Sequence, residues 1–228
     1  MFDKSNWTTK EYIGLTIIPC EFTIGALIHK LPSLLNNDIL ASCVNSGIFI
    51  IGFLIMIFLF KDFLKDEWKN YKEHKLWRKL LLNILFAAGI FAILALSRYI
   101  GNLSINDSDS LNNTTISFML ISSIPPLLAP FAEELTFRYL LFGKFSNKFF
   151  KLLMLFVSSI LFGMVHINNF SGQWLQTIPY MIVGLYLALI YYNSKNIWAS
   201  IIVHWIFNTF NSILPALFIV IMKLIGAV

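Results

Sequence analysis

Long apolar runs separated by short charged or polar turns make up almost the whole chain. The runs cover roughly residues 12–28, 39–60, 80–100, 116–143, 152–167, 174–192 and 197–214, with a short last one from Pro215 to Met222. About 20 apolar residues are needed for a helix to cross the hydrocarbon core, and lipid offers no partners to backbone groups outside a helix or closed barrel. The pattern therefore predicts an all-α, polytopic transmembrane helix bundle of about eight spans, built as a single membrane domain over residues 1–228. Three spans (residues 1–113) come first, and residues 114–228 hold most of the unusual polar positions. Residues 61–79 interrupt the apolar pattern with seven Lys/Arg and with Asp62, Asp66, Glu67 and Glu73. Trp68, Tyr71, Leu76 and Trp77 are interleaved among them. This predicts an amphipathic helix on the membrane surface, with His74 solvated.

Composition agrees. The chain is 57% hydrophobic and 13% charged, contains 22 Phe, and has a mean hydropathy of +0.73. The net charge of +5 does not point to a nucleic-acid partner, because the basic residues sit in turns between apolar runs. With eight spans, Lys4, Lys10, the seven of residues 61–79, Lys144, Lys148, Lys151, Lys195 and Lys223 fall on one side. Lys30 and Arg98 fall toward the other, and Arg138 is inside a span. The positive-inside rule makes the rich side, and both termini with it, cytoplasmic. The Asn-, Ile- and Lys-rich composition suggests a bacterial cell membrane. Cys20 and Cys43 read as packing residues, and no removable signal peptide is expected. Asn102, Asn106, Asn112 and Asn113 open N-x-S/T triplets, which matter only in a secretory lumen.

Candidate chemistry concentrates in the fourth run. Glu133, Glu134 and Arg138 lie within apolar sequence. A charge at the bilayer centre costs roughly 2.5–3.5 kcal/mol, so three together require partners or a role. Glu134 and Arg138 are four apart and share a helix face, while Glu133 points about 100° away and is left free. The bland reading is a buried structural ion pair. Pro125, Pro126 and Pro130 predict a break, with a new helix starting near Pro130 and both glutamates in its first turn. His166 and His204 lie inside other spans, and His204 shares a helix face with Asn208. Each alone reads as a histidine bonded to a neighbouring helix. Together they suggest more. Spans four and five form a hairpin about the basic turn 144–151, and the midpoint of residues 133 and 166 falls in that turn. Glu133 and His166 should meet at similar depth as a general-base pair. His204 and Asn208 could aim two donors at an oxyanion. His204 lies seven residues into its span and His166 about fourteen into its own, a mismatch of roughly 10 Å at 1.5 Å per residue. Glu21, in the first span, reads as a structural polar contact, with a place in the site as the second option.

The ordered motifs Glu133-Glu134-x-x-x-Arg138, Phe162-x-x-x-His166 and His204-x-x-x-Asn208 resemble those of the CAAX-protease and bacteriocin-processing family, also called CPBP or Abi. The resemblance covers residues 116–214. Tyr139 stands where that family often has glycine. The resemblance implies an intramembrane endopeptidase that hydrolyses a membrane-associated peptide or protein, near the cytoplasmic face. CAAX-type and bacteriocin- or pheromone-precursor-like substrates both fit. By the same analogy Glu133 and His166 would activate water, and His204 and Asn208 would stabilise the oxyanion. Glu134, Arg138 and Phe162 would support the site. A metal-free, glutamate-type mechanism is expected, since the HExxH pair is missing. The alternative is zinc held by Glu133, His166 and His204, with Glu134 a further possible ligand. Two other functions compete. One is a non-catalytic immunity or sensor-regulating partner. The other is a transporter relaying protons through Glu133, His166 and Glu21, which the lack of an inverted repeat disfavours.

Overall fold

A computed structural model describes residues 7–28, 30, 37–73, 75–101, 115–170 and 172–226. His29, His74, Lys4 and the four N-x-S/T asparagines lie outside the described residues. Among those described there are helices and turns and no strand.

The helices are α1 (Thr9–Ile28), α2 (Asp38–Lys72), α3 (Leu76–Gly101), α4 (Ile116–Ser122) and α5 (Ile124–Glu134). α5 runs directly into a π-helical stretch, Leu135–Gly143. α6 (Lys148–Met164), two 3₁₀ turns (Ile167–Phe170 and Trp174–Thr177) and α7 (Ile178–Ser194) follow. α8 (Ile197–Asn208), a π-helical turn (Thr209–Ile213) and α9 (Leu214–Leu224) close the chain. Among the described residues, six stretches are long and apolar enough to cross a membrane: Thr9–Ile28, Asp38–Lys72, Leu76–Ile100, Ile116–Gly143, Trp174–Ser194 and Ile197–Leu224. α6, with 17 residues, packs beside them against α7. The last two apolar runs are one continuous stretch: the π-helical turn Thr209–Ile213 joins α8 to α9, and Pro215 falls in the first turn of α9, where proline is tolerated.

Two other expectations change. Residues 61–79 are not a separate surface helix. α2 continues through them to Lys72 past a kink at Phe60 (φ −114°, ψ 15°), and α3 begins at Leu76 after a turn. Aromatic packing of Trp68 against Tyr71 and Trp198 ties this extension to the bundle. The break before the glutamates lies at Ser123, not at Pro130. Pro125 takes the first turn of α5, where proline fits, and Pro130 sits inside the helix. Glu133 and Glu134 therefore end α5 rather than start it, so the favourable N-terminal dipole is not what holds them.

Asparagines begin three helices. Asn37, Asn147 and Asn196 each accept a hydrogen bond from a backbone N–H of the first turn. The basic turns gather at one end of the bundle, as the charge count expects. Lys144 pairs with Glu11 of α1 at 3.1 Å. Asn196 donates to the Glu67 carbonyl at 2.8 Å, and the Ile197 N–H donates to the Glu67 carboxylate at 3.1 Å. Phe60, Leu135, Leu140, Leu187, Ile197 and Ile201, all essentially inaccessible, form a dry layer toward that end. Gly184 lets α7 approach α6 closely, since a Cβ there would lie 2.8 Å from the Ser159 carbonyl.

Candidate active site

Glu133, Glu134 and Arg138 meet His204 in the bundle interior. Glu134 is fully buried and Arg138 is 1% exposed. Their side chains form the ion pair expected of an i, i+4 spacing, with Arg138 Nε 3.1 Å from Glu134 Oε2. Arg138 also donates to the Gly184 carbonyl at 3.2 Å, and its guanidinium lies 4.2 Å over the Phe162 ring. Phe162 thus supports the arginine through its face. The other Glu134 oxygen, Oε1, is 2.9 Å from His204 Nδ1. A carboxylate only accepts, so Nδ1 carries the proton and Nε2 is turned to the opposite side of the ring. There it lies 3.9 Å from Glu133 Oε2, which has no hydrogen-bond partner although Glu133 is only 8% exposed. Glu133 is the unpaired carboxylate that the sequence spacing singled out. Its nearest imidazole is that of His204.

His166 is not on a helix. α6 ends at Met164, and His166 follows in a turn whose N–H reaches the Gly163 carbonyl. Its Nδ1 lies 2.9 Å from the Phe162 carbonyl, so Nδ1 again carries the proton and Nε2 is free. The ring stacks on Tyr180 of α7, centroids 4.5 Å apart. No hydrogen bond joins it to Glu133, but both line one cavity of about 650 Å³. His204, Asn208 and Phe162 line it too. Despite the depth difference that spacing suggests, both imidazoles lie against Phe162, with ring centroids 5.3 Å (His166) and 5.5 Å (His204) away.

Asn208 does something spacing could not reveal. Its Nδ2 donates to the Pro126 carbonyl at 2.9 Å. Pro130 is four residues on and has no N–H, so it cannot give that carbonyl its helical hydrogen bond. The side-chain amide of α8 supplies a donor where the backbone of α5 lacks one. This ties the motif-bearing helix to α8 about one turn from His204 and two turns from Glu133. Asn208→Ala is expected to destabilise the protein by about 1–3 kcal/mol, through an unsatisfied carbonyl. In a Pro130→Ala background, where residue 130 has an N–H to give, the loss should shrink to under about half. Thermal unfolding of the two single variants and the double variant measures the coupling.

The cavity extends away from the basic turns. Its lining includes Asp38 and Ala41 at the start of α2, Phe118 of α4, Asn168 in the first 3₁₀ turn, and Asn211. Among the described residues, none of 73, 75, 144–147 or 195–196 lines it. Glu21 of α1 also lines the cavity. Among the described residues, no three His, Cys, Asp or Glu side chains are gathered as a metal-ligand set. Glu134 engages the Nδ1 of His204, which turns the Nε2 of that ring toward Glu133.

Three motifs on three elements converge on one buried cavity, in the order of the family they resemble. Residues 114–210 match the Rce1-like family, described as type II CAAX prenyl endopeptidase Rce1-like. All the motif residues lie within this Rce1-like segment; Glu21 lies outside it. The chain is 28% identical over 184 residues to an uncharacterized protein of Mycoplasma capricolum subsp. capricolum, covering 73% of this chain and 52% of that one. It is 25% identical over 172 residues to a Bacillus subtilis protein named "Putative membrane peptidase YdiL", covering 71% and 67% respectively. A shorter match of 84 residues, 38% identical, links it to the UPF0177 protein YxdF of Lactococcus lactis subsp. lactis, covering 37% and 44%. The chain thus spans about half the length of the Mycoplasma relative. No solved structure matches it.

Proposed function

We propose that the protein is an integral-membrane endopeptidase that hydrolyses peptide bonds of a membrane-associated peptide or protein by a glutamate-type mechanism. The observation that carries this reading is Glu133: a nearly buried carboxylate with an unpartnered oxygen, facing a cavity between two imidazoles. A water there gives its proton to Glu133, and the Nε2 lone pair of His166 orients the same water. The resulting hydroxide attacks the scissile carbonyl. His204, anchored through Nδ1 by Glu134, donates from Nε2 to the developing oxyanion when it holds both ring protons. Asn208 has a second amide hydrogen for the same oxyanion while the first holds Pro126. Glu133 then passes its proton to the leaving amine. Arg138 and Phe162 fix Glu134 and so the tautomer of His204. The excess of lysines at one end supports a cytoplasmic orientation for that end, with the cavity reaching toward the far face.

The test is cleavage of a broad panel of CAAX-type, prenylated and small hydrophobic precursor peptides by the purified protein in detergent, with and without a strong chelator. Cleavage that survives chelation is the expected result. Cleavage lost on chelation and restored by zinc would replace the glutamate mechanism with a metal one. Absence of cleavage from the whole panel would favour the immunity or sensor-regulating role.

A further inference from the structure

A carboxylate outside the Rce1-like segment shares the cavity with Glu133, and its setting suggests what the substrate carries. Glu21 lies on α1. Its Oε1 is sealed from solvent and has no hydrogen-bond partner. The carboxyl is seated on the bare Cα of Gly52 in α2, where a Cβ would lie 1.6 Å from Oε1 and 2.7 Å from the carboxyl carbon. No other residue would leave room for it. The seat fixes one oxygen against α2 and leaves the other for the cavity that Glu21 lines.

The charge of that cavity runs against the charge of the chain. The protein is +5 overall, yet among the described residues the cavity lining holds three carboxylates (Glu21, Asp38 and Glu133) and no lysine or arginine. Asp38 is exposed, at the N-terminus of α2. Glu133 is nine-tenths buried and its Oε2 is unpartnered. Carboxylates in a largely apolar membrane cavity are costly unless something of opposite charge joins them. Arg138 does not line the cavity; it pairs with Glu134 and donates to the Gly184 carbonyl under the Phe162 face. Phe22 and Phe49 line the same space and suit the methylene stem of a long basic side chain.

We propose that Glu21, with Asp38 toward the rim, forms a cation-recognising subsite beside Glu133 that takes a lysine or arginine side chain of the substrate peptide. The proposal rests on the peptidase reading of the same cavity. It makes Glu21 a specificity-determining residue: it contacts substrate and takes no part in proton transfer to the scissile bond.

The experiment uses the full chain in detergent and a pair of fluorescent dodecapeptides that differ only in two central residues, lysine in one and norleucine in the other. Binding is read by anisotropy and cleavage separately by mass spectrometry. Wild type should bind the lysine peptide about tenfold more tightly, the worth of one charge-assisted hydrogen bond. Glu21→Gln should abolish that preference and Glu21→Asp should keep part of it. Gly52→Ala, which displaces the carboxyl without removing it, should also weaken it, which guards against a folding defect in Glu21→Gln. Equal binding of the two peptides by wild type, or an undiminished preference in both Glu21→Gln and Gly52→Ala, overturns the subsite. A lysine preference in binding without any cleavage would sink the peptidase reading and leave the subsite standing. Cleavage of both peptides with equal affinity would do the reverse.

Discussion

Glu133→Gln is expected to eliminate peptide cleavage and to leave a folded, membrane-inserted protein. Glutamine has nearly the shape of glutamate, and Glu133 Oε2 has no hydrogen bond to lose. What disappears is the negative charge that takes a proton from water. A positioned general base contributes roughly 10²–10⁴-fold, so turnover should fall at least a hundredfold. Stability should hold or rise, because a nearly buried carboxylate becomes neutral. Turnover number and thermal unfolding, measured side by side in detergent, separate the two effects. Turnover within tenfold of wild type would remove Glu133 from the mechanism. A collapse in stability would make it structural.

Arg138→Met should behave in the opposite way. Arg138 and Glu134 are both buried, and the arginine is held by three separate contacts. Methionine fills much of the same space but leaves the Glu134 carboxylate with His204 alone. Removing one partner of a buried pair costs about 3–5 kcal/mol, because the remaining charge is uncompensated. For a chain of this size that corresponds to a fall in Tm of roughly 6–20 °C. Removing both charges, as Glu134→Leu with Arg138→Met, should recover much of the loss, since a buried pair stabilises little relative to apolar replacement. Activity should not return with it, because His204 Nδ1 would have lost its anchor. A single variant as stable as wild type would show that Glu134 is already satisfied without the arginine. An active double variant would release Glu134 from any role in catalysis.

The residues drawn together here differ in how far spacing alone could reveal them. The Glu134–Arg138 pair was legible because both partners belong to one helix, and i, i+4 geometry survives the change from α- to π-helical turns. That Glu133 would be the unpaired acid followed from the same angle. The partner of His204 was not legible. Glu134 is 70 residues away in sequence, and no local rule links them. Pro130 misled for a related reason. Proline interrupts a helix when its missing hydrogen bond goes unreplaced, and here Asn208, 82 residues from Pro126, supplies a donor.

The amino-acid sequence by itself determined the solvent the protein lives in, the helical class, and the clustering of its basic turns at one end. These follow from run length, backbone satisfaction in lipid and charge placement, which are local or additive along the chain. It also named the polar residues of the site, because each is anomalous in apolar surroundings. Only the tertiary structure decided which of them touch. Spans of similar hydrophobicity can pack in many registers, and the close approaches that select one depend on shape. Gly184 against Ser159 and Gly52 beneath Glu21 are such contacts. The direction in which the cavity extends is settled by the same packing, because it depends on which helix ends leave space between them and no single span records that.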